Sequence, residues 1–343
     1  MRRGFLQSRA ALVILALAAT AALAGVVGRS AYVQALGPVA ARGQSDLELA
    51  SDRLVTQLQR FREFAVLSAD HPALVALHDG GSRAEAGTML LRAADRSGAV
   101  LAAYLDRDGQ VLAASEAGLP DWVRAGEPLR RAFDGALGVA HGPGPAGVAR
   151  AFYFAAPSFS DDGQVRGALV VVVDVARLER DWRGSLPAVL FVDRGGEVFA
   201  TNRSELLGWR REGAATLVSA EGAPREVQVR RPGGYTVWAQ RFSPYIPARA
   251  LRLEADLPVI GMTGVLLVDV APAARLAALQ AAVVAAGFCS SACCSGWRWS
   301  GAGRWRRPIR CWRRGSRRAR GRWSRATWRC AARSPSGRRR RRR

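Results

Sequence analysis

The stretch YLDRDGQVLAAS (residues 104–115) returns 87 residues later as FVDRGGEVFATN (residues 191–202). Each copy is an apolar run, an Asp-Arg-x-Gly turn and a second apolar run, the pattern of a β-hairpin. Asp106 and Asp193 suit the start of the turn, because a short carboxylate accepts hydrogen bonds from the backbone N–H groups that follow it. Gly109 and Gly196 supply the positive φ that such a turn requires. A second pair of segments closes each unit: GALVVVVDVA (167–176) and GVLLVDVA (264–271) share Val-Asp-Val-Ala. The closing segments lie 95 residues apart, so the copies differ by a small insertion. The repeat predicts two α+β domains in tandem, each with an antiparallel sheet, and a further strand over 236–240 (TVWAQ) in the second.

Composition separates this body from the C-terminal tail. All 51 basic residues are arginines, and 20 of them lie from Cys289 onward, where no acidic residue occurs. The body keeps 31 arginines against 28 acids, a balance of +3, so the overall charge of +23 is a property of the tail. All five cysteines (Cys289, Cys293, Cys294, Cys311 and Cys330) also lie there. A cysteine-free body needs neither disulfides nor thiols, which suits an oxidising compartment.

Three arginines precede Ala10, and the run ALVILALAATAALAGVVG (11–28) follows. At ~1.5 Å per residue it is about long enough for the ~30 Å hydrocarbon core, and the arginines before it place the N-terminus in the cytoplasm and the body outside. Ala22-Leu23-Ala24-Gly25 also has the small residues of a signal-peptidase site, so a cleaved leader is the competing reading. Either way the body is exported. Residues 45–78 then carry Leu47, Leu54, Leu58, Phe61, Phe64 and Val66 at three- and four-residue steps, which predicts an amphipathic helix leaving the membrane.

Anchor, long helix and two DxxG hairpin units together resemble the tandem PAS-like (double Cache) sensor region of bacterial sensor histidine kinases, and most nearly the C4-dicarboxylate-transport sensors. RFREFAVLSADHPALVAL (60–77), GALVVVVDVARLERDW (167–182) and VLFVDRGGEVFATNR (189–203) carry the resemblance, with the first hairpin. It covers about residues 45–274 and implies, within an α+β fold, a long periplasmic helix (29–80), a membrane-distal ligand-binding domain (81–183) and a membrane-proximal domain (184–274). The apolar runs and the composition add a cytoplasmic basic end with a transmembrane helix (1–28), a partial second span (275–297) and an Arg-rich disordered tail (298–343). The resemblance also implies a homodimer in a bacterial inner membrane that binds a small organic acid in the distal domain.

A carboxylate leaving water needs cationic and hydroxyl partners, and an arginine fork meets it with two parallel hydrogen bonds. The family pattern Phe-Arg-Pro-Tyr-Phe corresponds to Leu129-Arg130-Arg131-Ala132-Phe133, so Arg130 inherits the anchoring role. The family strand Tyr-Tyr-Leu-Ser-Tyr-Pro corresponds to residues 152–157, where Tyr153 keeps a hydroxyl and the serine has become Ala155. The family lysine of the closing strand falls on Val172. With these contacts missing, a monocarboxylate or another solute fits as well as a dicarboxylate. Arg131, Arg124 and Ser115 are further ligand candidates. Arg130 and Arg131 also read as a solvated helix face beside Glu127, and Tyr153 as a core aromatic with its hydroxyl at the edge.

The family's kinase chemistry is not found in the sequence. The histidines are His71 and His78, bracketing the end of the N-terminal helix, and His141 in a Gly-Pro-rich loop. No nucleotide-binding region follows them, and no Walker loop, HExxH helix or GxSxG elbow occurs. No catalytic residue, metal site or cofactor is expected, since Cys289, Cys293 and Cys294 lack a paired CxxC or histidine set. Six of the ten tryptophans lie between Trp297 and Trp328, a composition that a shifted reading of a GC-rich gene produces. Re-read one base over with permitted codons, residues 288–316 become LLLGLLLGLALERRRALAEAN, two undetermined residues and LEARVA: the rest of a second span, a basic stop and a cytoplasmic helix. Two other readings stand beside the truncated sensor. One is a secreted or anchored solute-binding protein without signalling output. The other is a polyanion binder acting through the arginines, without specificity for nucleic acid.

Overall fold

A computed structural model describes the backbone of residues 2–213 and 215–301, with side chains from Ile14 to Ser291. The chain enters as one helix, α1 (Arg2–Ser68), with Pro38 inside it. Leu36, Leu47, Leu54, Leu58, Phe61 and Ala65 are buried along it, a stripe of mostly three-, four- and seven-residue steps. The expected helix to His78 stops ten residues early. His71 precedes Pro72 and takes extended dihedrals, and its Nδ1 accepts from Ala73 N at 3.2 Å to cap α2 (Pro72–Val75), which a 3₁₀ turn over Ala76–Asp79 follows. Val66, expected in the core, is 49% exposed, and Ala65 and Ala69 take the inward positions.

After α3 (Arg83–Ser97) come β1 (Leu101–Asp106), β2 (Val111–Ala114), the short helices α4 (Asp121–Arg124) and α5 (Glu127–Phe133), β3 (Gly138–Gly142), β4 (Ala151–Phe159) and β5 (Val165–Asp174). These strands form a five-stranded antiparallel sheet in the order β2-β1-β5-β4-β3. His141, expected in a loop, lies within β3. Helix α6 (Val175–Glu179) leads to the second unit: β6 (Ala188–Val192), β7 (Val198–Thr201), β8 (Arg210–Glu212), β9 (Thr216–Val218), β10 (Pro224–Glu226), β11 (Gln228–Arg230), β12 (Val237–Ala239), β13 (Arg249–Leu257) and β14 (Met262–Asp269). Six of these strands form a sheet ordered β11-β12-β13-β14-β6-β7, and β8, β9 and β10 form a small sheet of their own. Read from its other edge, the six-stranded order repeats that of the first sheet, with β11 added.

The repeat extends to single hydrogen bonds. Asp106 Oδ1 accepts from the amides of Asp108 and Gln110, and Asp193 Oδ1 from that of Glu197, while Gly109 (φ 75°) and Gly196 (φ 82°) close the two turns. Both hairpins carry a bulge at the same place, after Tyr104 and after Phe191. Asp174 and Asp269, from the shared Val-Asp-Val-Ala, each accept from the amide two residues on, and so start α6 and α7 (Ala271–Gly301).

Helix α1 packs on the inner faces of both sheets. Leu47, Leu54, Leu58 and Phe61 share one buried cluster with Tyr104, Phe152 and Val171 of the first sheet and with Val189, Phe191 and Leu266 of the second. The units are also joined by a buried ion pair. Glu179 of α6, 1% exposed, accepts from both terminal nitrogens of Arg150 at 2.9 Å and from Thr201 N at 2.9 Å, and Arg150 also donates to the Phe199 carbonyl.

Residues 14–68 and 271–291 are helical stretches long and apolar enough to cross a membrane. Ile14, Leu15 and Val26 on the first and Leu279 and Val283 on the second are exposed. The two helices meet at Gly28, where a Cβ would stand 3.1 Å from that of Ala281. The expected partial span (275–297) lies within α7, which continues to Gly301. From residue 302 on, the expected Arg-rich tail, with Cys311 and Cys330, lies outside the described residues.

Candidate functional site on the outer sheet faces

Alternation along each strand gives the two sheets an outer face, turned away from α1. In the first sheet Ala103, Leu105, Tyr153, Ala155, Val170 and Val172 point outward and pack against Val123, Leu129 and Ala132 of the helical cover α4–α5. Tyr153 is fully buried, donates to the Pro143 carbonyl at 2.5 Å, and meets the edge of Trp122 with ring centroids 4.8 Å apart. Burial pushes its phenol up to about 12. The residues singled out in the sequence are not gathered around it. Arg130 and Arg131 are exposed on α5, and Arg124 is exposed in an ion pair with Asp121 on α4. Ser115 accepts from Ala102 N at 3.0 Å. Its repeat counterpart, Asn202, accepts from Val189 N at 2.8 Å in the same way. Ser115 therefore fastens its hairpin. Arg131 lies in a cleft between the two units, with His141 and the Asp193 turn. There His141 Nε2 is 3.9 Å from the Asp193 carboxylate, and burial outweighs that carboxylate to hold the imidazole below its usual range.

The second sheet is covered differently. In place of two helices, Leu206, Trp209, Arg211 of β8 and Leu217 of β9 close over the outer face and leave a cavity of about 240 Å³. Its floor is Leu190, Val192, Val198, Val265 and Leu267, and Trp238 and Ile246 complete the apolar wall. One side is polar. Arg252, with only 12% of its side chain exposed, stacks its guanidinium 4.9 Å from the Trp238 ring centre and pairs with Glu254. Arg211 reaches the same carboxylate at 3.5 Å. Burial, with Arg211 nearby, brings Arg252 down to about 10, so it stays charged at neutral pH. Its buried Nε has no hydrogen-bond partner among the described residues. Thr263 stands on the rim and donates to Asp256 at 3.2 Å. A pocket with apolar walls and one cationic side suits a small amphipathic anion.

Sequence reading missed this pocket. In RALRLEADL (249–257) the polar residues alternate with apolar ones, as on any half-buried strand, and nothing in that spacing says the polar face is roofed. The correspondence emerges only with the strand pairing, which sets Arg252 opposite Leu267 as Tyr153 is opposite Val172.

No family model matches the chain. Over 92 residues it is 33% identical to the C4-dicarboxylate transport sensor protein DctB of Pseudomonas aeruginosa, a match that takes in 27% of this chain and 14% of that protein. The sensor domain of the Vibrio cholerae histidine kinase DctB superposes with a TM-score of 0.52 at 18% identity, over 68% of this chain and 97% of that domain. The sensory domain of the Campylobacter jejuni chemoreceptor Tlp3, solved with isoleucine bound, superposes with a TM-score of 0.50 at 10% identity, over 71% and 97%. Two repeated sheets strung on one long helix are thus the fold of the sensor domains of DctB and of Cache-type chemoreceptors.

Proposed function

We propose that this chain is the extracytoplasmic sensory part of a bacterial two-component receptor, held in the inner membrane by residues 14–28 and the start of α7, and that it binds a small organic solute. The reading divides it into two Cache modules, residues 81–183 and 184–274, and expects a homodimer. The duplicated sheet carries it: two copies of one scaffold, each with a roofed outer face, share a single helix that runs on into an apolar stretch. A solute that binds one arrangement of roof and sheet better than another shifts the balance between them. The shift has a direct route to the membrane, because α1 touches both sheets and α7 starts at the Asp269 cap that ends β14. The resemblance alone nominates Arg130 and Tyr153, with Arg131 and Arg124, as solute contacts in the first module; the three arginines stand exposed there and the Tyr153 hydroxyl is held by the Pro143 carbonyl. On this reading the kinase output is either lost or encoded in the shifted frame near residue 288.

The test is a thermal-shift screen of the purified full chain, in detergent micelles, against small organic acids and amino acids. A ligand of the native state raises Tm as its concentration passes Kd, by about 2.7 kcal/mol of stability at a hundred times Kd. At least one saturable stabiliser is expected. A flat response across both classes contradicts a solute sensor.

A further inference from the structure

We infer that the solute site lies on the outer face of the second sheet, and that it takes a small monocarboxylate with an apolar body. The inference rests on the sensor reading above and adds where the solute sits and what chemistry it has.

The first support is the register of the duplication. Tyr153 pairs with Val172 as Arg252 pairs with Leu267, and Ala155 pairs with Val170 as Glu254 pairs with Val265. The two outward positions on the strand beside the closing strand are thus Tyr and Ala in the first copy and Arg and Glu in the second. In the first copy they are shut under α4–α5, and the Tyr153 hydroxyl is taken by a backbone carbonyl. In the second they border a cavity of about 240 Å³, because a three-stranded sheet replaces the helices as roof.

The second support is the chemistry of that cavity. Arg194, Arg211 and Arg252 face Asp193 and Glu254 around it, a net charge of +1 that balances one carboxylate and not two. Arg252 is the deepest of the five. Glu254 occupies one of its two terminal nitrogens, and Trp238 fixes the plane of the fork. A carboxylate is the natural counter-ion for a guanidinium held in this largely apolar wall. The Trp209 and Trp238 rings and the aliphatic floor then require an apolar remainder. The volume lies below the roughly 300–1,000 Å³ of drug-sized sites, which restricts that remainder to a short chain or a single ring.

The purified full chain in micelles is titrated with hexanoate and phenylacetate, with phenylacetamide as the uncharged analogue and succinate as the dianion. Hexanoate or phenylacetate is expected to raise Tm saturably, with phenylacetamide and succinate at least ~10-fold weaker. Arg252→Gln weakens the monocarboxylate by at least ~10-fold, and Arg130→Gln leaves it unchanged. Val265→Phe fills the cavity with a ring while leaving the Arg252 charge in place, so it abolishes binding even if Arg252→Gln fails to fold. Binding that survives both Arg252→Gln and Val265→Phe and falls in Arg130→Gln moves the site to the first sheet and overturns this inference, while the sensor reading stands. A response to amino acids or succinate alone overturns the ligand class and again leaves the sensor reading. No response to any solute of the wider screen overturns both.

Discussion

Asn202 and Ser115 occupy the same place in the two hairpins but carry different loads. Asn202 is 1% exposed; its Oδ1 accepts from Val189 N, and its Nδ2 donates to the Ser185 and Pro187 carbonyls at 2.9 and 2.8 Å. Asn202→Ala strands a buried donor and two carbonyls, and should destabilise by roughly 3 kcal/mol. Ser115→Ala removes one half-buried bond and should cost about 1 kcal/mol. Chemical denaturation measures both, and equal losses would contradict the assignment. Neither substitution should alter solute affinity, although Ser115 reads from the sequence as a ligand candidate. That reading sees a hydroxyl near the expected pocket. It cannot see that the hydroxyl is already engaged 13 residues back along the hairpin.

Among the elements, the repeated strands were legible because each copy carries its own turn chemistry and a shared cap. The Asp-Arg-x-Gly turns and the Val-Asp-Val-Ala ends are local, and local patterns survive in sequence. The roofs were not legible. β8 and β10 are the polar triplets Arg-Arg-Glu and Pro-Arg-Glu, and β9 is only Thr-Leu-Val; they hold through pairing, backbone bonds to the Asp193 turn and the packing of Leu217. The break after Ser68 was marked by Pro72, but the helix pattern ran past it. The join between units was hidden for another reason: Arg150 and Glu179 are 29 residues apart and read as surface charges. Glu179→Ala leaves the part-buried Arg150 without its carboxylate and strands Thr201 N, and should cost about 3 kcal/mol. Replacing both, as Arg150→Met with Glu179→Leu, should cost clearly less than the sum of the single changes. Additive losses would show that Arg150 and Glu179 do not act as a pair.

At the scale of the whole molecule, α1 is the one element common to everything the chain does. It carries the first apolar span, meets α7 at Gly28 and runs under both sheets. Both sheets are therefore linked to the apolar stretch of residues 14–28 through a single rod. The placement of Trp238 beside Arg252, and of Trp122 against Tyr153, gives each outer face its own optical reporter. The most direct measurement is tryptophan fluorescence of the full chain during a hexanoate titration, repeated on the double variant Trp209→Phe/Trp238→Phe and on Trp122→Phe. The account predicts a saturable change that disappears in the double variant, which removes both rings of the cavity wall, and persists in Trp122→Phe. A change that persists in the double variant and disappears without Trp122 would contradict it.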